Sequence, residues 1–230
     1  MAERIAAILP AFNEEAALPG VLRELAAAGL AQIIVVDNGS ADGTAEVARQ
    51  GGAEVVSEAR RGYGQACLAG IAALRAEITI VVFLDADGSD DPAELTRLVG
   101  PIERGEAEMV LGSRVTGESE AGALTAQQRF GNWLATRLMR MLLGAKYTDL
   151  GPLRAIRREA LERLGMRDTN YGWTIEMQIK AWRAGMRVLE VPVRYRRRKG
   201  GVSKVSGTVK GSISAGLKII LTIVRHKLRQ

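Results

Sequence analysis

Histidine and cysteine are almost absent from this chain of 230 residues, with one of each, His226 and Cys67. A single cysteine excludes an intrachain disulfide and fits a reducing compartment, so a cytoplasmic location is expected. The one histidine lies near the basic C-terminus, which excludes Ser-His and Cys-His triads and His-rich metal sites. Cys67 reads as a small buried helix residue rather than a nucleophile. Aromatic residues are scarce too, at 4%. Without stacking residues dispersed among the Arg and Lys, nucleic acid is not the expected partner. No apolar run reaches the roughly 18 uncharged residues that a membrane span requires. The opening run Ile5 to Leu9, closed by Pro10, is too short for a signal-peptide core.

What is present is a hydrophobic content of 47% and a net charge of +6, from 32 Lys plus Arg against 26 Asp plus Glu. The length suits one domain over 1–230 with a sizeable core. The basic residues concentrate after Arg129, which predicts an anionic partner such as phosphate or an acidic membrane face. Strands are expected at Ile5–Leu9, Ile33–Asp37, Glu54–Ser57, Ile78–Leu84 and Met109–Leu111. Helices fall between them near Ala16–Ala28, Thr44–Arg49, Gly64–Leu74 and Ala93–Ile102. This alternation predicts βαβ units, an α/β fold with a mostly parallel sheet covered by helices on both faces. Beyond Arg114, a helix is expected over Ala126 to Met141, strands at 150–157 and 187–195, and a helix at 173–184.

One stretch concentrates chemistry. Val81-Val82-Phe83-Leu84 ends in Asp85-Ala86-Asp87. Residues i and i+2 of an extended strand share a side, so both carboxylates can converge at its C-terminal end. Two hard oxygen ligands there suit Mg²⁺ or Mn²⁺ together with a diphosphate. The plainer reading is a solvated acidic turn, since Asp87-Gly88 and Asp91-Pro92 follow. Two further strand ends are also polar, with Asn13-Glu14 after the first and Asp37-Asn38-Gly39-Ser40 after the second. In open α/β sheets ligands bind beyond the carboxyl ends of the strands, so the conjunction favours a site.

Pro10-Ala11-Phe12-Asn13-Glu14-Glu15, Asp37-Asn38-Gly39-Ser40, Asp85-Ala86-Asp87 and Gly112-Ser113-Arg114 follow one another in that order. The ordered set resembles the family 2 glycosyltransferases of the GT-A fold, and within them the dolichyl-phosphate mannosyltransferase-like branch. The resemblance implies that residues 1–115 hold a nucleotide-diphosphate sugar and residues 116–230 serve the acceptor. It assigns Pro10, Phe12, Glu14 and Asp37 to the nucleotide, with Ala86 beside them, and Asp85 and Asp87 to the metal. Asn38 departs from the second acid usual there. Ser89 stands where relatives often carry Gln as a third metal ligand. Arg60-Arg61-Gly62-Tyr63-Gly64 resembles a segment whose glycines and helix N-terminus suit an anion, with Arg61 as its contact. Asp149, in Thr148-Asp149-Leu150-Gly151-Pro152, is similar to an acid placed near the acceptor. Glu176 resembles a helix carboxylate beneath the sugar pocket, and Arg114 completes the catalytic set. For Glu176 the alternative is a core acid paired with a base.

Arg194, Arg196, Arg197, Arg198, Lys199 and Lys204 form the densest positive run. Read against the resemblance, Arg196 and Lys204 close over the diphosphate, with Gly200, Gly201 and Gly207 as hinges; the alternative is a solvated basic patch. The helix with Phe130, Trp133, Leu134, Leu138 and Met141, flanked by Arg129, Arg137 and Arg140, is basic and amphipathic, as is the segment Val205 to Leu228. Core packing explains such stripes by default, and peripheral contact with the inner face of a membrane is the alternative. The expected activity is an inverting hexose transfer from a UDP- or GDP-linked sugar to a polyprenyl-phosphate-type lipid. A hydroxyl acceptor, with Asp149 as base, is the runner-up. A nucleotidyltransferase or a non-catalytic sugar-nucleotide-binding protein is the reading from another class. The first lacks its Gly-rich basic loop here, and intact Asp85 and Asp87 argue against the second.

Overall fold

Apolar runs without polar alternation become the central strands of a seven-stranded sheet in the computed structural model, which describes residues 4–200 and 222–223. The strands are β1 (Ile5–Ala11), β2 (Gln32–Asp37), β3 (Glu54–Ser57), β4 (Ile80–Phe83), β5 (Met109–Ser113), β6 (Arg154–Arg157) and β7 (Val188–Pro192). Their order is β3-β2-β1-β4-β6-β5-β7. All neighbours pair in parallel except β6, which runs antiparallel between β4 and β5. Strands from both halves of the chain therefore share one sheet.

The period of two along each strand splits the core. Ala7, Leu9 and Val35 face one side, under α1 (Leu18–Ala26), α2 (Thr44–Gln50) and α4 (Leu95–Glu103). Ile8, Ile34 and Phe83 face the other, under α3 (Tyr63–Ala72), α6 (Arg158–Leu164) and α7 (Trp173–Arg183). Phe83 and Trp173 meet edge to face there, with ring centroids 6.0 Å apart. The helix α6 was not legible in the sequence, because it follows β6 with no Gly or Pro between them.

The long helix α5 (Ala126–Leu143) starts at a capping box, in which Thr125 accepts from the Gln128 amide and Gln128 from the Thr125 amide. It ends at Gly144 in the left-handed conformation. Its inward residues are Ala135 and Met139, packed with Ile175 and Ile179 of α7. Phe130, Trp133 and Met141 of the expected apolar stripe lie on the outside instead, at 61%, 55% and 69% exposure. The segment after residue 200, with Lys204 and nearly all of Val205 to Leu228, lies outside the described residues.

The carboxyl ends of β1, β2, β4 and β5 share one rim because those strands are parallel. The antiparallel β6 begins at that rim, so the turn before it, residues 149–153, joins them. That reversal brings the second half of the chain to the first.

Candidate active site

The rim opens into a cleft of about 530 Å³. Its floor is built by clips between loops. Asn13 is the one non-glycine residue with positive φ among those described, at 55°, a conformation that Asn tolerates. From there its backbone amide donates to Ser40 Oγ at 3.0 Å and its Oδ1 accepts from the Ala41 amide at 2.8 Å. The Glu14 amide donates to Thr44 Oγ1 at 2.9 Å. These bonds hold the β1 and β2 loops together and present Pro10, Phe12 and Glu14 to the cleft.

Asn38 does what an acid in its place could not. Its Nδ2 donates to the carbonyls of Glu58 and Arg60 at 2.9 and 2.8 Å, and its Oδ1 accepts from the Gly62 amide at 2.8 Å. The clip fixes the 58–62 loop, whose Arg61 guanidinium lies 3.6 Å from the Phe12 ring centroid, a cation–π contact. Gly62 adopts a φ of 148°, and a Cβ there would lie 2.1 Å from the Thr169 carbonyl oxygen. Only glycine lets the two loops approach so closely.

Asp85, Ala86 and Asp87 also line the cleft. Burial, then the charges of Asp87 and Asp90, push the Asp85 carboxyl well above its ordinary range. Asp90, whose Oδ2 accepts from the Asp85 amide at 2.9 Å, is pushed up to about 7, chiefly by burial. Its Oδ1 is buried with no hydrogen-bond partner among the described residues. A cation beside these groups reverses their penalty, and an all-oxygen set of this kind fits Mg²⁺ or Mn²⁺. Among the described residues no group of three or more His, Cys, Asp or Glu is arranged to hold a metal alone. That leaves ligands for diphosphate oxygens to supply.

Arg114, at the end of β5, faces this group from across the cleft. Its Nε and Nη2 donate to Asp149 Oδ2 and Oδ1, each at 2.8 Å, and its backbone amide donates to Oδ2 at 2.8 Å. Burial opposes the Arg114 charge, but the hydrogen bonds and attraction of Asp149 outweigh it and raise its pKa above the usual value. The Tyr195 ring supports the guanidinium, 5.1 Å from Arg114 Cζ to the ring centroid.

The cleft thus gathers Pro10, Phe12, Glu14, Arg61, Asp85, Ala86, Asp87 and Arg114. Five expected site residues lie elsewhere. Asp37 accepts from the Ser40 amide at 2.9 Å and shapes the turn, while Asn38 faces the cleft. Ser89 is buried, with its amide and Oγ donating to Asp87 Oδ1 at 2.9 and 2.6 Å, so it orients Asp87. Asp149 lines an adjoining pocket. Glu176 accepts from the amides of Arg167 and Asp168 and pairs with Lys180 at 2.7 Å, so it braces the loop carrying Asn170 and Tyr171 into the cleft. Arg196 points away, to Glu24 at 2.7 Å and Asp91 at 2.6 Å. Arg198 takes its place, pairing with Asp87 at 2.9 Å and with Glu14. Arg196 and Arg198 share a face in an extended strand, so no sequence signal separated them. Asn38, Tyr63, Gln128, Asn170, Tyr171 and Tyr195 also line the cleft; of these, Asn38 and Tyr63 lie inside the motifs quoted from the sequence, and the others stood outside them.

A helix-covered, largely parallel sheet with acids and arginines at its carboxyl rim is the architecture of the GT-A glycosyltransferases. The chain belongs to glycosyltransferase family 2, whose model matches residues 6–165. It is 41% identical to an uncharacterized glycosyltransferase of Mycobacterium tuberculosis, over 93% of this chain and 94% of that one. It is 32% identical to the undecaprenyl-phosphate mannosyltransferase of Micrococcus luteus, over 90% of each. The glucosyl-3-phosphoglycerate synthase of M. tuberculosis, solved with Mn²⁺, UDP-glucose and phosphoglyceric acid, superimposes with a TM-score of 0.78. It is 26% identical, over 98% of this chain and 80% of that one.

Proposed function

We propose that this enzyme moves a hexose, with inversion at the anomeric carbon, from a UDP- or GDP-linked sugar to a polyprenyl-phosphate-type lipid. The observation that carries this choice is the engagement of Asp149. Both its carboxylate oxygens accept from Arg114, and its backbone carbonyl accepts from Gln178 Nε2 at 2.8 Å. A carboxylate held this way is a poor general base, and a hydroxyl acceptor would need one. A phosphate monoester does not, because its second pKa is about 6 and it is mostly dianionic at pH 7.

An adjoining pocket of about 440 Å³ suits such an acceptor, with Arg114 and Arg129 for the phosphate and Trp133 at its edge. The exposed Phe130 and Trp133, 5.8 Å between ring centroids, continue it towards a lipid surface. Arg137 and Arg140 on the same helix would add about 1 kcal/mol each at an anionic membrane. No described helix is long and apolar enough to cross a membrane, which fits a peripheral mode of contact.

On the donor side, Phe12, Glu14, Asn38 and Arg61 hold the nucleotide. Asp85 and Asp87 hold Mg²⁺ or Mn²⁺, which when bound neutralises the diphosphate leaving group. Arg114 and Arg198 stabilise the charge that grows as the sugar leaves, and Lys204 joins them. A second reading, a soluble phosphorylated acceptor, is favoured by the likeness to the phosphoglycerate-bound synthase. Purified enzyme assayed with labelled UDP- and GDP-hexoses distinguishes the two. Transfer to a polyprenyl phosphate in detergent, and none to 3-phosphoglycerate, is expected; the reverse pattern would refute the lipid acceptor.

A further inference from the structure

The segment 194–199 carries six residues of which five are basic, and its side chains are sorted by what they touch. Arg194 lies 3.5 Å from Asp91, Arg196 bridges Glu24 and Asp91, and Lys199 reaches Glu24 at 2.6 Å. These contacts lie on the far side of the segment from the cleft. Of the segment's basic residues, Arg198 alone lines the cleft. Its Nη1 donates to Asp87 Oδ2 at 2.9 Å, and its Nη2 reaches Glu14.

The two Asp87 oxygens are not equivalent. Oδ1 already accepts from the Ser89 amide and Oγ. Oδ2 is thus the oxygen left for a metal ion, and it is the one that Arg198 occupies. A divalent ion and a guanidinium on one carboxylate oxygen repel each other strongly at that separation. They exclude one another.

The backbone makes this position deliberate. The Arg196 amide donates to the Ser89 carbonyl at 2.8 Å and the Lys199 amide to the Asp87 carbonyl at 3.0 Å. Asp90 and Tyr195 form an antiparallel bridge between them. Gly88 has a φ of 77°, and a Cβ on it would lie 2.9 Å from Lys199 Cδ, so the segment packs directly on the loop that bears the metal acids. With its base pinned, Arg198 can leave Asp87 only by turning its own side chain.

We propose that Arg198 competes with the divalent ion for Asp87, and that the Arg196 contacts with Glu24 and Asp91 hold it in that position as a positioning lock. The diphosphate gives the displaced guanidinium a new partner, bidentate in the manner Arg suits. Metal and nucleotide then favour one another by way of Arg198, which is a coupling between two ligands and is reciprocal. Metal binding without a nucleotide is resisted, so the ion is taken up with the donor. The inference rests on Asp85 and Asp87 as the metal acids.

Mn²⁺ binding to the purified protein, followed by loss of the free-ion electron paramagnetic resonance signal, tests this without turnover. Without nucleotide, Arg198→Ala should bind Mn²⁺ on the order of tenfold more tightly than the unaltered protein. The gain in Mn²⁺ affinity on adding UDP or GDP should shrink by about the same factor. Arg196→Ala should move both quantities the same way by less, and serves as the test should Arg198→Ala fail to fold. Arg194→Ala, on the same segment but outside the cleft, should move neither. Equal or weaker Mn²⁺ binding by folded Arg198→Ala would overturn the competition. Asp87→Asn separates the two levels. Should it bind Mn²⁺ as the unaltered protein does, the metal acids are misassigned. Should it lose Mn²⁺ while Arg198→Ala gains nothing, only the competition falls.

Discussion

Replacing Asp149 by Asn tests whether this carboxylate positions Arg114 or removes a proton. The change is nearly isosteric, but it leaves a guanidinium with 13% side-chain exposure facing a neutral amide. Breaking a buried pair by removing one partner costs about 3–5 kcal/mol, because the remaining charge is uncompensated. The Asn side-chain oxygen still accepts one Arg114 bond, so the lower end, about 3 kcal/mol, is expected. At about 2–4 °C per kcal/mol for a chain of this size, Tm should fall by about 6–12 °C in differential scanning calorimetry. Arg114→Met on top of Asp149→Asn should recover part of that loss, since no charge is then left unpaired. Kinetics measured well below the transition should show a raised KM for the acceptor with kcat lowered less. A base would behave differently, with kcat lowered by the 10²–10⁴ typical of general-base loss and the acceptor KM nearly unchanged. That outcome would refute the positioning role and reinstate a hydroxyl acceptor.

Asp87→Asn should abolish sugar transfer while circular dichroism stays native, and activity surviving in EDTA-treated buffer would end the metal assignment. Asn38→Asp should turn a carboxylate oxygen towards the carbonyls of Glu58 and Arg60. The expected loss is about 1–3 kcal/mol of stability, with weaker nucleotide binding by calorimetry; an unchanged melt would show that the clip is dispensable. Phe130→Ser with Trp133→Ser should remove pelleting with anionic vesicles at no cost in stability, because both rings are more than half exposed. Equal pelleting of the variant would assign membrane contact elsewhere. Lys204→Ala should lower kcat by roughly 10²–10³, and near-native steady-state kinetics would remove it from the clamp.

The sequence by itself determined the framework. Short apolar runs such as Val81–Leu84, bounded by turn residues, read as strands buried on both faces, and their alternation with helical segments predicts parallel pairing. The polar residues that end them then fall on one rim, so Asp85, Asp87 and Glu14 were legible together from the strand ends. Arg114, which lines the same cleft, was legible only through the family resemblance. Both signals are local, in periodicity and punctuation, and need no knowledge of what a side chain meets. Tertiary structure alone decided the partners. Arg196 and Arg198 have the same residue type and strand parity, and only the position of Glu24 and Asp91 on one side, and of Asp87 and Glu14 on the other, gives them different work. Glu176 and Asp149 look alike as acids among apolar residues; one braces a loop through backbone amides and Lys180, the other is locked to Arg114. Phe130 and Trp133 carry the helical spacing of a core stripe, yet Ala135 and Met139 were taken inward, because α7 covers that face of α5 and leaves the aromatic one uncovered. A charge or an apolar surface is specified by the chain, but what compensates it comes from residues distant in sequence, and these meet only when the sheet has formed.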